Sequence, residues 1–134
     1  MFRDGVIETA ASGRVDLKGN ELNQYIPIQL VEADLIAATT NYLTAFRALG
    51  LGLPISVHVT LSGVKGKRIP LDRLMAEEPE PIDRDMLILP HILIDDEGRT
   101  AAQILRPVFD ALWQSSGYER CLHFHAADGS YHVR

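Results

Sequence analysis

Three histidines near the C-terminus are the first residues of this chain whose types and spacing could do chemistry. His123 and His125 stand two apart, and His132 follows the dipeptide Asp128-Gly129. Asp-Gly suits the two-residue type I′ loop of a β-hairpin. With those two residues as the loop, His125 lies opposite His132, and His123 opposite Arg134. All three imidazoles then share one face, with Cβ atoms ~5 Å apart across the strands and ~7 Å apart along one strand. Neutral imidazoles at that spacing can hold a zinc ion with an open fourth position, as a small metal-dependent hydrolase requires. The other face carries Leu122, Phe124, Ala126, Tyr131 and Val133, which are apolar or aromatic. The same histidines therefore also read as the solvated side of a terminal hairpin.

Other groups offer weaker chemistry. Lys65, Lys67 and Arg68 interleave with Gly63 and Gly66. Such a loop can bring backbone N–H groups and positive charge to a phosphate or a nucleic acid. The GxxxxGK[ST] pattern of a P-loop is absent, and a solvated hairpin tip is the alternative. Asp83, Asp85, Asp95, Asp96 and Glu97 flank an apolar run at 86–94. Oxygen ligands for magnesium look like this, and so does ordinary loop solubility. Cys121 is the single cysteine, which forbids an internal disulfide. Its sequence neighbours give no reason for a lowered thiol pKa. No GxSxG, HExxH, GxGxxG or CxxC occurs.

The elements that must position these groups follow from periodicity. Leu35, Tyr42, Phe46 and Leu49 recur at helical spacing, which predicts a helix over 31–49. Glu32 and Asp34 suit the dipole of its first turn, and Gly50 suits its C-terminal stop. Over 55–62, Ile55, Val57, Val59 and Leu61 alternate with Ser56, His58, Thr60 and Ser62, the pattern of a half-buried strand. Its polar side is an interface candidate through His58, Thr60 and Ser62, with Tyr25 upstream packing across a partner. Residues 63–66 read as a tight connection, 67–69 as a return strand and 71–75 as a helical turn. The apolar run 86–94 is either a strand covered on both faces or two segments with Pro90 at a bulge. A second helix is predicted over 100–116, with Thr100 and Gln103 at capping-box spacing, a kink or short prelude at Pro107, and Gly117 past its end. Residues 1–29 read as a short hairpin or an extended arm.

The fold expected is α+β: an antiparallel or mixed sheet of about four to six strands with two main helices packed on one face. One domain is expected over 1–134, with 1–29 as the arm or hairpin and 30–134 as the compact core.

Bulk composition bounds the function. The chain has 134 residues, 46% of them apolar, and a formal net charge of −5. Ordinary apolar content and small net charge argue against intrinsic disorder. The negative balance argues against a protein that works mainly by gripping nucleic acid, and leaves only a local basic loop for that role. Arg3, Asp4, Glu8, Arg14 and Asp16 leave no room for a signal-peptide core at the start. The 86–94 run is far short of the ~20 residues of a membrane helix. A cytoplasmic protein without a membrane partner is expected.

Several stretches together carry a family resemblance. They are Gly50-Leu51-Gly52-Leu53-Pro54-Ile55, Ser62-Gly63-Val64-Lys65-Gly66, Pro81-Ile82-Asp83-Arg84-Asp85 and Leu87-Ile88-Leu89-Pro90. Leu105-Arg106-Pro107-Val108-Phe109-Asp110-Ala111-Leu112-Trp113, Gly117-Tyr118 and Asp128-Gly129 complete the set. Over residues 50–131 this resembles the C-terminal domain of bacterial Schlafen/AlbA-type ATP-binding, DNA-binding proteins. In that family the nucleotide or nucleic-acid module lies N-terminal to such a domain. The resemblance therefore implies an accessory or assembly domain, in which Pro107 and Trp113 fix the second helix and Asp83 and Arg84 pair or cap. The leading reading is a non-catalytic, self-associating interaction domain of a bacterial regulatory or DNA-binding protein, most simply a homodimer. The zinc hydrolase built on His123, His125 and His132, and the phosphate or nucleic-acid binder built on Lys65, Lys67 and Arg68, are the alternatives.

Overall fold

The Leu35–Tyr42–Phe46 stripe belongs to a helix that starts earlier than its apolar pattern. In the computed structural model, which describes residues 25–70, 79–96 and 98–133, α1 spans Ile28–Ala48. The arm or hairpin expected at the N-terminus and the helical turn at 71–75 fall on or largely on residues outside those described. Pro27 stands at the N-cap, and its carbonyl accepts from the N–H groups of Leu30 and Val31 at 3.0 and 3.1 Å. Beyond Leu49 the chain leaves the helix through Gly50, whose φ of 70° favours glycine. Ile28, Glu32, Thr39 and Phe46 are the buried residues of α1. Their spacings of four and seven put all of them on one stripe, with a carboxylate in its middle.

Helix α2 spans Ala101–Gln114. Thr100 Oγ1 accepts from the Gln103 N–H at 3.2 Å, and Gln103 Oε1 accepts from the Thr100 N–H at 3.0 Å, which completes the capping box. Ile104, Leu105, Val108, Phe109, Leu112 and Trp113 form its buried side. The helix runs on through Pro107. Pro107 and Gln103 are both exposed, so water can serve the Gln103 carbonyl that proline cannot.

Four short strands follow the alternating pattern: β1 (Ile55–Val57), β2 (Thr60–Ser62), β3 (Met86–Ile88) and β4 (Ile92–Ile94). β1 pairs antiparallel with β4, and β2 with β3. The two pairs are halves of one ribbon that is interrupted midway. Residues 58–59 on one arm face residues 89–91 on the other, so the second arm carries one residue more. Pro90 lies in that longer stretch, where its missing N–H costs no ladder bond. Leu89 N–H still donates to the Val59 carbonyl at 3.1 Å.

The chain is α+β, but the described strands form two two-stranded sheets rather than one sheet of four to six. The segments expected to widen the sheet make single contacts. Residue 68 forms an isolated bridge with Tyr25, and Phe124 forms another with Tyr131. The helices are also not laid side by side on one sheet face: among the described elements α1 packs on α2, and α2 packs on β4. The fully buried side chains where these layers meet include Ile69, Ile82, Ile94, Ile104, Phe109, Trp113 and Phe124. Ser116 ties the loops to the end of α2, since its hydroxyl accepts from Ile69 N–H at 3.1 Å and donates to the Glu80 carbonyl at 2.6 Å.

Candidate functional site

A buried carboxylate is costly unless donors surround it. Glu32, with 0% exposure, sits on the inner stripe of α1 and meets groups from two distant parts of the chain. From α2, the Trp113 indole N–H donates to Oε2 at 2.9 Å. From the C-terminal segment, the Tyr131 hydroxyl donates to Oε1 at 2.5 Å, and His123 Nδ1 lies 2.7 Å from the same oxygen. With Glu32 ionised, that His123 nitrogen carries the proton. The Cys121 thiol lies 3.9 Å from Oε2. The aromatic rings close the chamber: His123 stands edge-on to Trp113 at 5.1 Å and to Tyr131 at 6.0 Å.

The thiol and the phenol respond to this burial. Desolvation, then the Glu32 charge, pushes the Cys121 thiol up to about 12. Tyr131 is also raised, first by burial and then by its bond to Glu32. Both groups are held protonated, as donors toward the carboxylate.

The placement of the histidines differs from the expectation. The terminal hairpin has a four-residue loop, 126–129, because His125 N–H donates to the Ser130 carbonyl and Gly129 N–H to the His125 carbonyl, each at 2.8 Å. His123 therefore faces His132, whose N–H donates to the His123 carbonyl at 2.7 Å. Asp128 bonds within the wider loop and its exit. Its Oδ1 accepts from Ser130 N–H at 2.9 Å and from Ser130 Oγ at 2.7 Å, an Asx-type turn over 128–130 where the loop meets the returning strand. Those bonds hold its carboxyl below the usual range. Upstream, a turn at 121–124 breaks the two-residue alternation, and His123 and Phe124 are both buried, at 4% and 1% exposure. His125 and His132 are exposed, with ring centroids 5.0 Å apart. The three histidines thus do not share a face. Among the described residues, the metal-ligand types that converge are Glu32, Cys121 and His123, whose donor atoms all lie within 4.8 Å of one another.

The other candidates are dispersed. Of the basic residues, Lys65 is exposed while Lys67 and Arg68 are half-buried. The backbones of the latter two are engaged, with Ile82 N–H on the Lys67 carbonyl and Ile26 N–H on the Arg68 carbonyl, both at 2.8 Å. Asp83 bonds its neighbour Arg84 at 2.9 Å in the open, which lowers its carboxyl pKa. Asp85, Asp95 and Asp96 are exposed. Tyr25 is half-buried, and its backbone bridges residue 68.

His58, Thr60 and Ser62 are exposed on the outer side of the ribbon. His58 accepts or donates a 2.8 Å bond with Ser56 Oγ and stacks on His91 at 5.6 Å. Across the strands, Ser56 faces Leu93, Thr60 faces Ile88 and Ser62 faces Met86. These partners are among the exposed large apolar residues: Leu93 at 54%, Ile88 at 74% and Met86 at 57%. A separate cleft is lined by Leu43, Phe46, Arg47, Leu53, Ile94, Asp96, Arg99 and Ile104, away from Glu32.

No family model matches this chain, and neither the curated proteins nor the solved structures hold a match to it. Among the described residues no helix is long and apolar enough to cross a membrane.

Glu32 was legible as a core position in principle. It stands three residues before Leu35 and fourteen before Phe46, on the same stripe. Its charge pointed instead to the helix dipole, and only the fold brings Trp113, His123 and Tyr131 to it.

Proposed function

We propose that this chain is a non-catalytic interaction domain that self-associates through the outer side of its β-ribbon. One observation carries the reading. That side presents Ser56, His58, Thr60, Ser62, Met86, Ile88, His91 and Leu93, with no Lys, Arg, Asp or Glu among them. Depletion of charge around exposed apolar side chains marks the centre of a protein interface rather than a solvated face. The strand edges support a second copy as the occupant. Among the described residues each strand pairs with a single neighbour, and an edge strand is a ready template for pairing with another chain. A ribbon of two strands is marginal alone and gains from further pairing.

The experiment is light scattering coupled to size exclusion, with native mass spectrometry of the untagged protein. A dimer is expected for the wild type and a monomer for Ile88→Lys. Ile88 is 74% exposed, so the lysine costs the fold little. A wild-type chain that stays monomeric at high concentration overturns the reading.

A further inference from the structure

The chamber around Glu32 holds the makings of a second site, independent of the ribbon. We propose that Glu32, Cys121 and His123 bind one divalent metal ion of the zinc type. The three side chains come from one helix and one distant turn, are each buried, and place one donor atom apiece within 4.8 Å of the other two. Carboxylate oxygen, thiolate sulfur and imidazole nitrogen are together the ligand set of a borderline ion that accepts tetrahedral geometry. Hard cations avoid the thiolate, which removes magnesium and calcium.

The charge balance favours occupancy. Without a metal, the Glu32 carboxylate is buried against the Trp113, His123 and Tyr131 donors alone. On binding, the Cys121 thiol loses its proton to solvent, and the His123 proton moves from Nδ1 to Nε2. The carboxylate and thiolate then neutralise the dication, and one proton leaves per ion bound. His123 Nδ1 and Glu32 Oε1, now 2.7 Å apart, separate by roughly 0.5 Å to become adjacent ligands at zinc distances.

The surrounding groups are those a ligating carboxylate needs. The Trp113 N–H and the Tyr131 hydroxyl both reach Glu32, one on each oxygen, and fix its orientation. His125 and His132 take no part, since they are exposed beyond the turn.

The test uses the untagged full chain, stripped with a chelator and titrated with Co2+ as the optical probe, with bound zinc measured by mass spectrometry before stripping. One metal per chain and a thiolate-to-cobalt charge-transfer band are expected. Cys121→Ala abolishes the band while circular dichroism stays native. Tyr131→Phe keeps the band but weakens binding about 10–100-fold. His125→Ala and His132→Ala leave both unchanged. Absence of the band in excess Co2+, or metal binding of unchanged affinity in Cys121→Ala, overturns the proposal. Loss of metal in His125→Ala or His132→Ala with Cys121→Ala unaffected overturns it in favour of the hairpin histidines.

Discussion

Removing the Glu32 carboxylate should be among the most destabilising single changes available to this fold. Consider Glu32→Ala, measured with chelator present so that no metal contributes. The substitution strips the acceptor from the Trp113 N–H, the His123 Nδ1–H and the Tyr131 hydroxyl. Tyr131 is half-buried and can recover water. Trp113 and His123, at 1% and 4% exposure, cannot. Two orphaned buried donors at about 1–3 kcal/mol each, plus the space left by the side chain, set the gross cost. Relief of the buried charge offsets part of it, and the net expectation is about 3–5 kcal/mol. That is a large share of the ~5–15 kcal/mol that holds a domain together. Glu32→Gln keeps the shape but turns an N–H2 group toward a donor, and should cost about 1–3 kcal/mol. Urea unfolding followed by fluorescence reads these values directly, because Trp113 is the only tryptophan and sits in the chamber itself. A coupling of about 0.5–3 kcal/mol between Glu32→Gln and Tyr131→Phe is expected from a double-mutant cycle. If Glu32→Ala unfolds within about 0.5 kcal/mol of the wild type, the carboxylate does not hold the Trp113 and His123 donors in the folded core.

Two further outcomes follow from the same structure. Cys121 is raised in the folded chain to about 12 from an ordinary 9.0, so the unfolded thiol releases its proton first. Stability should be full below about pH 9 and fall as pH rises toward 12, by up to ~1.4 kcal/mol per pH unit for this group. Tyr131 and Tyr118 act in the same direction, and Cys121→Ala should flatten the slope seen in urea midpoints at neutral and alkaline pH. Thr100→Ala should cost about 1 kcal/mol by removing the hydroxyl that accepts the Gln103 N–H, with the effect visible as a lower urea midpoint. An unchanged midpoint would mean that the first turn of α2 is held by packing alone.

Local chemistry alone determined both helices, the capping box at Thr100, the stop at Gly50, the alternation over 55–62 and the break at Pro90. Each is set by residues within a few positions of one another, so the reading needs no knowledge of the rest of the chain. The four described strands form two small sheets rather than one because β pairing is non-local: nothing near residue 68 or residue 124 says that each will make one bridge rather than a ladder. The histidine face failed for a more particular reason. A period of two applies only while the backbone stays extended; the turn at 121–124 sent His123 inward, and the loop closed at four residues rather than two. Tertiary structure alone decided the candidate site. Glu32 lies 81 residues from Trp113, 91 from His123 and 99 from Tyr131, and only the packing of α1 on α2 and the terminal segment closes those distances. A charged residue at the start of a helix reads by itself as a solvated dipole partner, because the donors that make its burial tolerable are brought to it only by the fold.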